Sequence, residues 1–172
     1  MTAFTLLHTT VSVLPIGFGL YAFARRGKID PTTRSGKWYL GTMLAGSITG
    51  FGFLLTIGFT PGTVLTLFTL ALLLAATFTL KGARRPAGYV QTAALTTSFL
   101  MLMVFATTET LKKFPLGEPF AQNAADPALI PVRLGLLAAY VVVLGSQLWA
   151  IRSERAPKAR LERLIAESRH AA

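Results

Sequence analysis

Between Leu65 and Leu80 the chain reads LTLFTLALLLAATFTL, an apolar run interrupted only by scattered threonines. A helix lying against water carries a polar face that returns every 3.6 residues, and none returns here. The run holds no Lys, Arg, Asp or Glu. Extended back to Pro61, it reaches the ~20 residues a helix needs to cross a hydrocarbon layer. In lipid such a segment is stable as a helix because it satisfies every backbone polar group internally.

Four other stretches have the same character. The sequence therefore predicts an all-α, polytopic transmembrane bundle of about five spans, at residues 3–23, 38–59, 61–80, 89–108 and 131–151. Residues 1–151 form one bundle, followed by a basic tail over 152–172. Composition agrees: 52% of the chain is hydrophobic and only 14% is charged, with a mean hydropathy of +0.55. A water-soluble domain carries about 25% charged residues, so there is too little charge to cover a wet surface. There is no cysteine, which excludes disulfides, thiolate metal sites and cysteine nucleophiles.

The net charge of +10 reads as topology and not as a nucleic-acid surface, because the basic residues cluster between apolar runs. Residues 24–37, 81–85 and 152–172 hold all of the 17 Lys and Arg except Lys112, Lys113 and Arg133. The positive-inside rule then puts those three segments in the cytoplasm and the N-terminus outside. An odd number of spans is required, and five fits. No basic residue precedes Arg25, so the first span is expected to be retained and not cleaved as a signal peptide. The expected location is a bacterial inner (plasma) membrane.

Turn signals refine this. Thr60-Pro61-Gly62 makes a tight outer turn, with Thr60 as N-cap and Pro61 at the first helical position. The longest outer segment, Lys112–Ile130, carries three prolines, and Asp126-Pro127 marks a helix start. Beyond Pro157 the sequence KARLERLIAES places Leu161, Leu164 and Ile165 on one face, an amphipathic helix suited to an anionic leaflet.

Few residues carry chemistry. In the second span Thr42, Gly46, Thr49, Phe53 and Thr56 share a stripe, and Gly46 and Gly50 form a small-xxx-small pair. Such a stripe brings helices close, within this bundle or between two copies. In the first span His8, Ser12, Pro15 and Gly19 share a face. A histidine within a span is a functional candidate unless water or a hydroxyl satisfies it near the interface. Glu109 ends the fourth span at the same outer side, and Met103 reaches a similar depth. His8, Met103 and Glu109 are thus the candidate positions for haem, copper, a quinone or another lipophilic ligand. Pairing of Glu109 with Lys112 or Lys113 is the plainer expectation. Paired-histidine haem within the bilayer is excluded, since the other histidine, His170, lies in the tail. Arg133 and Gln147 read as snorkelling boundary residues, and Trp38, Tyr39, Tyr89 and Trp149 as interfacial anchors. Hydrolytic and nucleotide-binding motifs are missing.

His8, Gly17 and Gly19, then Arg25-Arg26-Gly27 and Thr33-Arg34-x-Gly36-x-x-Tyr39, resemble a family of small bacterial multi-spanning membrane proteins, a domain of unknown function. The resemblance covers the N-terminal half and implies a helical inner-membrane bundle with a span-one histidine. The family's basic loop reads roughly His-Arg-x-x-Gly-x-x-Tyr, and here Thr33 stands in place of the histidine. Any role of paired histidines in holding haem or metal is therefore not carried over. Three functions remain: a non-enzymatic subunit or scaffold, with another membrane protein or a second copy as partner; a redox or carrier protein; and a small transporter.

Overall fold

The structure, a computed structural model, describes residues 3–52, 54, 58–79 and 87–170, with side chains described as far as Ser153, Pro61 apart. Five helices account for it: α1 (Ala3–Arg26), α2 (Arg34–Phe51), α3 (Pro61–Phe78), α4 (Ala87–Leu111) and α5 (Ile130–His170). A short 3-10 turn, Pro127–Leu129, leads into α5. There is no strand among the described residues.

Among the described residues three helices, and not the expected five, are long and apolar enough to cross a membrane on their own: Ala3–Arg26, Ala87–Leu111 and Pro127–Ser153. The expected second span starts earlier and stops sooner than hydropathy indicated. Thr33 caps α2, so Arg34 and Lys37 fall inside its first turn, and the helix ends at Phe51 with Gly52 as C-cap. At 18 residues, α2 spans about 27 Å at 1.5 Å per residue. The third is as short, 18 residues, with an apolar stretch of Gly62–Phe78. Thr60 caps it through a reciprocal pair with Thr63, with Pro61 in the first turn, as the sequence led us to expect.

The tail differs too. In place of a span and a separate surface helix, α5 runs without a break through Pro157 to His170. Ala, Arg, Leu and Glu dominate this stretch and favour helix. The expected apolar face of Leu161, Leu164 and Ile165 lies outside the described side chains, as do Phe53, Thr56 and the basic residues of 81–85.

Packing centres on α1, α2, α3 and α4, with α5 laid against α4. The core joins Ala22, Ile29, Tyr39, Met43, Leu73, Ala76, Ala94 and Leu95. Phe99 of α4 meets the Phe23 ring edge-on at 5.1 Å and the Tyr39 ring at 6.3 Å. Glycine makes these approaches possible. A Cβ on Gly19 would meet the Phe99 ring at 2.5 Å and Tyr39 at 3.3 Å. One on Gly46 would stand 3.2 Å from Ser12 Oγ, and one on Gly50 3.6 Å from His8 Cε1. Those two glycines of the small-residue stripe therefore face α1.

Gly36 has the least room, because a Cβ there would collide with the backbone carbonyl of Asp30. Backbone cannot swing aside as a side chain can. Gly36→Ala is expected to lower stability by about 1–3 kcal/mol or more through overpacking. Gly41→Ala, on the same helix with nothing near its Cβ position, is expected to be neutral or to stabilise by up to about 1 kcal/mol. Thermal unfolding of both variants in detergent checks this, and equal midpoints would contradict it.

Candidate functional site

Two polar clusters stand at opposite ends of the bundle. At the end where α1 begins, His8 Nδ1 lies 2.9 Å from Thr49 Oγ1, and Ser12 Oγ lies 3.5 Å from His8 Nε2. Thr49 also reaches the carbonyls of Ala45 and Gly46 at 3.0 Å. Its hydroxyl proton goes to a carbonyl, so its oxygen accepts from a protonated His8 Nδ1, and Nε2 accepts from Ser12. This tautomer is assigned from the network of partners. Both ring nitrogens are then occupied by hydroxyls from α1 and α2, and the imidazole braces the helix pair.

The residues expected to join His8 have partners of their own. Glu109 is held at 2.7 Å by Lys112, the residue that follows its helix, the plainer of the two sequence expectations. Met103 is half-buried on α4, and its carbonyl accepts from Thr107. No group of three or more His, Asp or Glu gathers among the described residues. Gly46 and Gly50 pack as described above, Thr49 holds His8, and Phe53 lies outside the described residues.

At the other end, where α1 stops and α4 begins, there is a cleft of about 270 Å³. Lys28, Asp30 and Thr32 of the α1–α2 connection line one side, Gln91 and Thr92 of α4 another, and Ile151 of α5 closes it. The connection is built to hold this shape. Gly27 turns the chain at φ +69°, and Asp30 Oδ1 accepts from both the backbone N–H and the hydroxyl of Thr32, at 2.9 and 2.6 Å. Thr33 donates to the Asp30 carbonyl at 2.7 Å and accepts from Gly36 N–H, capping α2. Partial burial alone would raise the Asp30 pKa. The two Thr32 bonds and the charges of Lys28 and Arg26 outweigh it, so the carboxyl sits below its usual range.

Gln147 locks the neighbouring wall. It is buried, donates to the Gly27 carbonyl at 2.7 Å and accepts from Thr96 at 2.7 Å. Snorkelling, the expectation from its place near the helix end, does not describe it: a short amide cannot reach water past α4 and finds these partners instead. Arg133 is likewise engaged, donating to the carbonyl of Ala124 in the 112–126 loop. Tyr39 is fully buried, with its hydroxyl 2.8 Å from Ser98, whereas Trp38 is exposed and stacked on Phe18 at 5.9 Å.

No family model, curated protein or solved structure matches this chain. The residues that carried the family resemblance are thus read through their geometry. Thr33, Gly36 and Tyr39 set the α2 entry, Gly19 admits Tyr39 and Phe99, and Gly27 makes the turn.

The cleft residues were not singled out by sequence. One signal was present: Asp30 is the sole acid among the basic residues of 24–37, and no other precedes Glu109. A lone carboxylate in a basic loop is a structural or binding group.

Two outcomes follow from this end of the bundle. Because the folded pKa of Asp30 is lowered, its ionised form stabilises the fold. That stabilisation is complete above the ordinary carboxylate range and disappears as pH falls through the lowered value. Asp30→Asn should therefore be less stable than the parent at neutral pH, with the gap closing in acid; a gap constant with pH, in detergent-based melts, would contradict it. Gln147→Leu leaves the Gly27 carbonyl and the Thr96 hydroxyl without this partner, and should cost about 1–3 kcal/mol in the same measurement.

Proposed function

We propose that this chain is an integral membrane protein without catalytic machinery, a small helical subunit or scaffold that packs against other membrane helices. The surface of α5 carries the reading. Within its stretch Pro127–Ser153 the most apolar 18-residue window has a mean hydropathy of 2.1, the highest of the three long helices, yet only 6% of that window is buried inside the protein. Leu134, Val141 and Val142 are each at least 58% exposed. Soluble monomers rarely expose contiguous apolar patches beyond a few hundred Å². Lipid tails solvate such a face without penalty, and a partner helix or second copy covers it by close fit.

The direction follows from charge. The cytoplasmic side receives the α1–α2 connection and the tail, and the plasma membrane is the setting in which that bias orients a chain. Orientation does not depend on whether the α2–α3 hairpin reaches the far face, because a hairpin returns to the side it left. Three spans, like five, are compatible with an N-terminus outside and a tail inside, the orientation the charge bias supports. Arg152 and Arg155 follow the apolar stretch at once in sequence, and an anionic leaflet there would attract them across a Debye length of about 8 Å.

A chain without cysteine makes orientation directly measurable. Thr32→Cys and Gln122→Cys, both at exposed positions, give opposite results with a membrane-impermeant maleimide applied to intact cells. Position 122 should label and position 32 should label only after lysis; the reverse pattern would invert the protein. The mass of the particle in mild detergent tests the subunit reading. An assembly larger than one chain, or a co-purifying membrane protein, is expected, and a strict monomer purifying alone would count against it.

A further inference from the structure

The cleft at the end of α1 lies where three long helices leave their apolar stretches: α1 ends at Arg26, α4 begins at Ala87, and Ile151 is the residue before Arg152 on α5. In a bilayer that level belongs to lipid headgroups. The cleft's volume, about 270 Å³, equals the liquid-state share of about nine waters at ≈ 30 Å³ each, room for a compact polar group.

Its charges are unusual in their arrangement. Lys28 and Asp30 line the same cleft, and the ion pair among the described residues is elsewhere, between Lys112 and Glu109. Asp30 spends one oxygen, Oδ1, on Thr32. Its Oδ2 and the Lys28 ammonium have no partner among the described residues. Two half-buried opposite charges that share a cavity without meeting are arranged for a ligand that carries both signs. A bare phosphate would meet the Asp30 carboxylate, and a bare cation would meet Lys28 and the neighbouring charge of Arg26. Neutral donors stand between them: Gln91 uses one N–H on the Ala76 carbonyl at 3.2 Å, and Thr92 adds a hydroxyl. Ile151 supplies an apolar edge where an acyl chain would leave the headgroup.

We infer that this cleft binds a phosphate ester bearing a primary ammonium group, with Lys28 on the phosphate and Asp30 on the ammonium, and that its source is phosphatidylethanolamine of the adjoining leaflet. Lipid reaches the cleft only if the chain lies in a bilayer, so the site rests on the membrane reading above. A quaternary ammonium has no N–H to donate to Asp30, and a glycerol headgroup has no cation. Phosphatidylcholine and phosphatidylglycerol are therefore the discriminating competitors.

The full chain, purified in detergent, is offered equal amounts of these three lipids with identical acyl chains, and the bound lipid is read by native mass spectrometry. Phosphatidylethanolamine should be retained about tenfold over either competitor, the ratio that one charge-assisted bond supplies. Asp30→Asn keeps an Oδ1 acceptor for Thr32 and should bring phosphatidylethanolamine down to the phosphatidylcholine level. Lys28→Gln should weaken both together; it alters an unpaired side chain, so it keeps the test readable if Asp30→Asn fails to fold. Equal retention of all three lipids, or a preference that survives both substitutions, would overturn the site. Uptake of free phosphoethanolamine from water in place of lipid would overturn the lipid source. A chain that stays folded in plain buffer and takes up no lipid would overturn the membrane reading instead.

Discussion

Everything in the bundle leans on one close approach, that of Tyr39 to Gly19 and Phe99. Tyr39 is wholly buried on α2, its ring lies against a glycine of α1 and an aromatic ring of α4, and its hydroxyl bonds Ser98 of α4. Ser98 in turn donates to the Leu95 carbonyl. One side chain thus ties three helices. In lipid, apolar residues gain little by leaving their surroundings, so fit and hydrogen bonds decide which helices associate. A side chain on Gly19 would push α1 away from both partners.

The outer helix is held differently. Gly135 and Gly145 of α5 have nothing near their Cβ positions; hydroxyl and amide groups join α5 to α4, through Thr96 with Gln147 and Thr97 with Tyr140. Gln147 extends the connection to the Gly27 carbonyl, 120 residues away in sequence. Measured interhelical bonds in membranes average about 0.6 kcal/mol, so α5 is attached by a few modest links and keeps most of its apolar surface free. The central helices are locked, and the peripheral one is left available.

Much of this was legible in the residues themselves. All-helical architecture followed from apolar runs without a polar stripe, and the start of α3 followed from Thr60 and Pro61. The stopping point of α2 did not, because hydropathy continues through Phe53 to Phe59 whereas the backbone ends its helix at Gly52. Hydropathy records solubility in lipid and is blind to backbone geometry. The same blindness explains α5, where a proline in sequence suggested a boundary that the helix crosses. For the sites, residue types pointed to His8 and Glu109 but could not show that hydroxyls and a lysine already hold them. The cleft around Asp30 was invisible because its walls come from a loop and two helices far apart in the chain.

The unbroken helix from Ile130 to His170 has a mechanical side. Its 41 residues amount to about 60 Å of rod at 1.5 Å per residue, twice the hydrocarbon thickness of about 30 Å. A rod anchored at one end by a handful of weak bonds behaves as a lever. Tilting it by about 10° at the bundle sweeps its far end through about 10 Å, so small adjustments among the packed helices become ångström-scale displacements of the tail.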